Sequence, residues 1–103
     1  MARKHPIYKN ISAAGITTLI TKGASVSGLI EKMTISNNSA SNAAVVSVQL
    51  WDGTSIGYNI CGNVTIPAGA VLVLEDNLRF HSHSWNLRME VSGTSPIIDI
   101  III

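Results

Sequence analysis

Runs of residues with a side-chain period of two, separated by polar turns, leave this chain few ways to fold. Three follow one another: Leu29-Ile-Glu-Lys-Met-Thr-Ile-Ser-Asn-Asn-Ser, Val45-Val-Ser-Val-Gln-Leu-Trp-Asp-Gly and Asn63-Val-Thr-Ile-Pro-Ala-Gly-Ala-Val-Leu-Val-Leu-Glu. β-Branched residues crowd these runs, and Asn, Ser, Asp, Gly and Pro punctuate them. This is the rhythm of an all-β domain, in which strands recur every 8–12 residues or about that. No amphipathic helical period appears. At 103 residues, the chain has room for one hydrophobic core.

Strands are expected over residues 15–22, 29–37, 43–52, 57–65, 70–75, 85–92 and 96–103, with a short extended piece from Leu78 to His81. These seven or eight antiparallel strands form a single β-sandwich over residues 11–103, preceded by an extended arm over residues 1–10. Successive side chains of a strand point to opposite faces. Met33 and Ile35 therefore face the core, as do Val46, Val48 and Leu50, Leu72 and Leu74, and Leu87, Met89 and Val91. Ser47 and Gln49, Val71 and Val73, and Arg88 and Glu90 face away. Asn37-Asn-Ser and Asp52-Gly-Thr supply turn residues that bond their own backbone or accept left-handed conformations. Pro67-Ala-Gly reads as a tight turn, with Pro67 expected at its first central position. Gly23 to Gly28 reads as a flexible connection.

The last strand breaks the alternation. Ile98, Ile100 and Ile102 can face the core, which leaves Ile97, Asp99, Ile101 and Ile103 on the other side. An apolar second face means either a central strand buried on both sides or an interface with another subunit.

Charge points the same way. Only 13% of residues are charged against 47% hydrophobic, and the net charge is +1. A surface this poor in charge is expected to be covered in part by partners, so a homo-oligomer is expected. The balance does not predict nucleic-acid binding. Basic residues gather only at the start, in Arg3, Lys4, His5 and Lys9. That arm is expected to reach a neighbouring subunit or the partner surface beneath it, with Ile7 and Ile11 buried there and Tyr8 as an anchor. The start has no apolar signal-peptide core, and the end is interrupted by Asp99 and shorter than the 20 or so residues of a spanning helix. Neither secretion by that route nor membrane insertion is expected. Cys61 stands alone, which excludes an intrachain disulfide and fits a packed thiol in a protein assembled in a reducing cytoplasm.

Little in the chain bears chemistry. His81 and His83 have the one metal-like spacing, since positions two apart share a strand face, but no third ligand lies near in sequence. Glu75 and Asp76 are adjacent, so they point to opposite faces and do not make an acid–base pair. No phosphate loop or recognisable triad is present. No enzyme activity, cofactor or resident metal is expected. Trp51 and Trp85, with Tyr58 and Tyr8, are candidate surface contacts, either for a subunit or for a sugar ring.

The residues from Leu29 to Asp76, and in particular Ile30-Glu-Lys-Met-Thr-Ile-Ser-Asn-Asn-Ser, Val48-Gln-Leu-Trp-Asp-Gly and Val64-Thr-Ile-Pro-Ala-Gly-Ala-Val-Leu-Val-Leu-Glu, resemble small virion structural proteins of tailed bacteriophages. The resemblance covers about half the chain and rests on turn chemistry. It implies a jelly-roll-like or immunoglobulin-like sandwich on the virion, often trimeric, without catalytic residues. The function it implies is capsid decoration: a cement protein on the outer head surface that bridges subunits of the major capsid protein. A tail-associated or fibre subunit and a glycan-binding module are the alternatives. The basic start and the isoleucine-rich end match nothing in that family pattern.

Overall fold

Ala44–Trp51 (β5) and Gly57–Ile66 (β6) form an antiparallel hairpin, and the rest of the chain folds back along it. The computed structural model describes residues 6–23, 29–75 and 78–103. Its other strands are Ile7–Ile11 (β1), Gly15–Ile20 (β2), Leu29–Ile30 (β3), Met33–Asn37 (β4), Val71–Leu74 (β7), Leu78–Arg79 (β8), Asn86–Ser92 (β9) and Ile98–Ile102 (β10). Each strand counted from the start pairs antiparallel with the strand equally far from the end: β1 with β10, β2 with β9, β3 with β8, β4 with β7. This long bent hairpin is then rolled up, which brings β10 against β4 and β9 against β5. Two four-stranded sheets result, ordered β1-β10-β4-β7 and β2-β9-β5-β6, with β3 and β8 as a separate two-stranded ribbon. The protein is an antiparallel β-sandwich, and this strand order is that of a jelly roll rather than of an immunoglobulin domain.

The apex of the hairpin is set by one side chain. Asp52 Oδ1 accepts the backbone N–H groups of Thr54, Ser55 and Ile56 at 2.8, 2.9 and 3.1 Å. Gly53 takes the positive φ that the turn requires, 99°. The Thr54 N–H first, then those of Ile56 and Ser55, hold the Asp52 carboxyl at about 2 against an ordinary 3.8. A depressed folded-state pKa stabilises the fold above the unfolded value, and that stability is lost as pH falls through the folded one. Asp52→Ala is therefore expected to lower the thermal midpoint at pH 6. The gap between variant and wild type should narrow as pH falls from about 4 to about 2. An equal gap at both ends of that range, by thermal melts, would count against the role given to the carboxylate.

The core lies between the two sheets, where alternation predicted it. Met33, Ile35, Ile98, Ile100 and Ile102 come from the first sheet, and Val46, Val48, Leu87, Met89 and Val91 from the second; all are buried. Each is worth roughly 1.5–3 kcal/mol in area removed from water. Leu50, Leu72 and Leu74 are half-buried and pack against this cluster. Cys61 is also half-buried there.

Asn37 ties the layers together. It is buried at the end of β4; its Nδ2 donates to Ile66 O and Asn42 O, both at 2.9 Å, and its Oδ1 accepts Ser39 N–H at 3.1 Å. Its backbone bonds the next turn, with Asn37 N–H donating to Ala70 O and Gly69 N–H to Asn37 O.

The structure revises several sequence expectations. The span 29–37 is two strands, not one. At Glu31 and Lys32 both N–H groups leave the ladder and donate to Ile103 O, which separates the β3 ribbon from β4. Ser47 lies on the outer face but is buried: β6 bulges there, Asn63 takes a left-handed φ of 51°, and Asn63 N–H donates to Ser47 Oγ at 2.8 Å. Pro67 is the first residue of its turn, not a central one; Ala70 N–H closes the turn on Pro67 O, and Gly69 takes the positive φ. Residues 7–10, read as part of an arm, belong to edge strand β1. Arg3, Lys4 and His5, the connection at 24–28, and Asp76 lie outside the described residues.

Candidate functional site

The register across the first sheet fixes what its outer face presents. Tyr8, Ile101, Thr34 and Val73 line up in one row across β1, β10, β4 and β7, and Asn10, Asp99, Ser36 and Val71 in the next. The row between them points into the core through Ile100, Ile35 and Leu72, with Lys9 at its solvent end. Tyr8 is 69% exposed, Ile101 42% and Val73 42%. Val71 and Ile97 are exposed as well, which gives five large apolar side chains on one sheet face. A patch of that kind on a protein this small marks an interaction surface more often than chance.

The charge within this face is already hydrogen-bonded. Asn10 Nδ2 donates to Asp99 Oδ1, and Asn38 Nδ2 to Asp99 Oδ2, both at 2.6 Å. The carboxylate is held by two amides, so the one acid among the isoleucines does not need a cation from a partner. A shallow depression of about 350 Å³ lies over β1 and β10 between Tyr8, Asn10, Asp99 and Ile101.

The predicted interface residues divide on this geometry. Tyr8, Ile97 and Ile101 share the outer side of the sheet and are exposed. Ile103 is half-buried, and its N–H and C=O are bonded to the Lys32 and Glu31 backbone. Ile7 falls in the inward row opposite Ile102 and packs against the core. Lys9 is in register with Ile100 at the sheet edge and reaches solvent. Ile7 and Ile11 therefore serve the fold of this subunit itself. Deleting residues 2–9 removes three of the five β1 residues and uncovers the β10 edge. The truncated protein is expected to melt well below the full chain, and a melt within a degree or two of it would count against the role given to β1. Differential scanning calorimetry separates the two outcomes.

The second sheet presents a different outer face. Thr18, Arg88, Gln49 and Asn59 form one row across β2, β9, β5 and β6. Arg88 Nε donates to Gln49 Oε1 at 2.9 Å, and Gln49 Nε2 donates to Asn59 Oδ1 at 2.8 Å. The Arg88 guanidinium lies over the Trp51 ring, 4.0 Å from its centroid. Trp51 also covers its register partner Gly57, where an added Cβ would stand 3.3 Å from Trp51 Cε3. Trp51 is half-buried, and its ring is occupied within the sheet.

Trp85 lies at the same end of the molecule on the opposite side, half-buried against Tyr58 with ring centroids 5.4 Å apart. Tyr58 itself is 61% exposed. His81 and His83 sit on a tight turn closed by Ser84 N–H and Trp85 N–H on His81 O. Both are exposed, with ring centroids 5.9 Å apart, and His81 Nδ1 bonds Ser84 Oγ at 3.2 Å. Among the described residues, no three His, Cys, Asp or Glu side chains gather closely enough to hold a metal ion. A cavity of about 200 Å³ lies between Ile30, Met33, Ile60, Leu74 and Leu78, whose side chains offer no catalytic group.

Alternation in the sequence located Ile97, Ile101, Val71 and Val73 on outer faces. It missed the joining of Tyr8 to that patch and the Arg88–Gln49–Asn59 row. Both depend on pairings between strands far apart in sequence, which no local pattern encodes.

No protein-family model matches the chain, and no curated protein matches it. Among solved structures it is similar to the Anabaena sensory rhodopsin transducer, with 14% sequence identity and a TM-score of 0.41 over 96% of this chain and 94% of that one. A likeness at that level carries no argument about function.

Proposed function

We propose that this protein is a virion structural protein, a capsid decoration protein that binds the outside of a tailed-phage head as a homo-oligomer, with a trimer favoured. The observation that carries the reading is the exposed apolar patch of Tyr8, Ile101 and Val73, extended by Val71 and Ile97, on the outer face of the first sheet. Its physical use is to bury area against a second copy or against the major capsid protein. Each such contact is modest, but many copies held in one lattice act together. The turn-motif resemblance across Leu29 to Asp76 supports the same reading. The sandwich is closed by ladders and an interleaved aliphatic core, which suits a part that must resist strain rather than turn over substrate.

Quantitative mass spectrometry of purified particles tests the proposal. Copy numbers in the hundreds per particle fit a cement protein. A handful of copies fits a tail-associated or fibre subunit instead, and absence from particles removes the virion reading altogether.

A further inference from the structure

The outer faces of the two sheets differ in kind. The first is apolar at its centre, as a protein interface is. The second has a row of hydrogen-bonding side chains at its centre, and its exposed Ile16 lies off that row, in register with Glu90. Arg88, Gln49 and Asn59 are linked in series by bonds of 2.9 and 2.8 Å, so their orientations are fixed before any ligand arrives. Arg88 spends Nε on Gln49 and one face of its guanidinium on Trp51, which leaves the terminal nitrogens for an acceptor. Among the described residues no carboxylate pairs with it. Asp52, at the same end, is committed to its own turn, and Glu90 is exposed two positions along β9.

We propose that this face binds a carboxylate-bearing saccharide. The Arg88 terminal nitrogens receive the carboxylate as a bidentate pair. Gln49 and Asn59, whose amides each both donate and accept, meet neighbouring ring hydroxyls, with Thr18 at the margin. A saccharide fits better than an acidic protein surface because the row is polar and without the apolar centre that a protein contact buries. The inference does not depend on the capsid role.

Matched glycan pairs on an array test it: galactosides with and without a terminal N-acetylneuraminate, and chains ending in glucuronate or glucose, with polyglutamate alongside. The wild-type protein is expected to retain the carboxylated member of at least one pair about tenfold better than its neutral match. Arg88→Lys should reduce that preference several-fold, because an ammonium keeps the charge but cannot present two parallel donors. Asn59→Ala should weaken retention several-fold while leaving the preference. Circular dichroism and melting of each variant confirm that it is folded, and Asn59→Ala keeps the test alive if the Arg88 variant is not. Equal retention of both members, retention of neither, or an unchanged preference in Arg88→Lys would overturn the proposal. So would polyglutamate bound as tightly as any glycan, since the face would then be a site for acidic protein. Particle copy number is not read in this experiment, so its failure leaves the capsid reading where it stands.

Discussion

Asn37→Ala is expected to destabilise the isolated domain by roughly 3–5 kcal/mol, a large share of what holds a domain of this size together. The side chain is buried and makes three hydrogen bonds, to Ile66 O, Asn42 O and Ser39 N–H. Each net bond is worth about 1 kcal/mol, and each buried group left unpaired costs about 1–3 kcal/mol more. Two carbonyls and one N–H lose their partner together: Ile66 belongs to β6 of the second sheet, Ser39 and Asn42 to the loop between β4 and β5, and Asn37 itself ends β4 of the first sheet. Asn37→Asp should be as harmful, because a carboxylate would face the two carbonyl oxygens that the amide now satisfies. Asn38→Ala is the control: its side chain bonds Asp99, at the surface, and its loss should cost under about 1 kcal/mol. Urea unfolding of the three variants measures this. If Asn37→Ala unfolds within about 1 kcal/mol of wild type, water or a relaxed loop replaces the amide, and Asn37 is not the clasp between the layers.

Asn37 also shows where sequence reading stops. It stands in a visible turn signal, Asn37-Asn-Ser, and reads as a local turn residue that bonds its own backbone or accepts a left-handed conformation. Its partners at positions 42 and 66 reveal it as a buried tie, and only the rolled-up topology brings residue 66 to it. The strands themselves were legible because alternation and turn chemistry are local. Leu87, Met89 and Val91 were placed on the core side from spacing alone, and the Asp52 turn was recognised from its residue types. β1 was not legible, because Lys9 and Asn10 interrupt the apolar pattern and a two-sided edge strand needs only Ile7 and Ile11 to hold it. The break at Glu31 and Lys32 was hidden for a related reason: what ends the strand is the carbonyl of Ile103, at the far end of the chain. The outer-face rows follow the same logic. Every residue in them was visible, but their neighbours were set by pairings that span most of the sequence.

Ile101→Lys is expected to leave the subunit folded and to break its assembly. Ile101 is 42% exposed at the centre of the outer row, so a lysine stem fits there without entering the core, and the monomer melt should shift little. If the row is buried against a second copy, the ammonium is buried with it. Its neighbours across the strands are Tyr8 and Thr34, and the nearest carboxylate, Asp99, is already held by two amides. An uncompensated charge in such a contact costs about 3–5 kcal/mol, or at least a hundredfold in association. Ile16→Lys supplies the contrast. Ile16 is 56% exposed on the outer face of the other sheet, and a lysine there should leave assembly unchanged. Light scattering of the two variants over a concentration series reads out the difference. Dissociation by Ile101→Lys alone places the subunit contact on the β1-β10-β4-β7 face. Dissociation by Ile16→Lys alone would move it to the opposite face, and with it the surface available to a saccharide. A wild-type protein that stays monomeric in solution and on particles would leave the apolar row without the partner proposed for it.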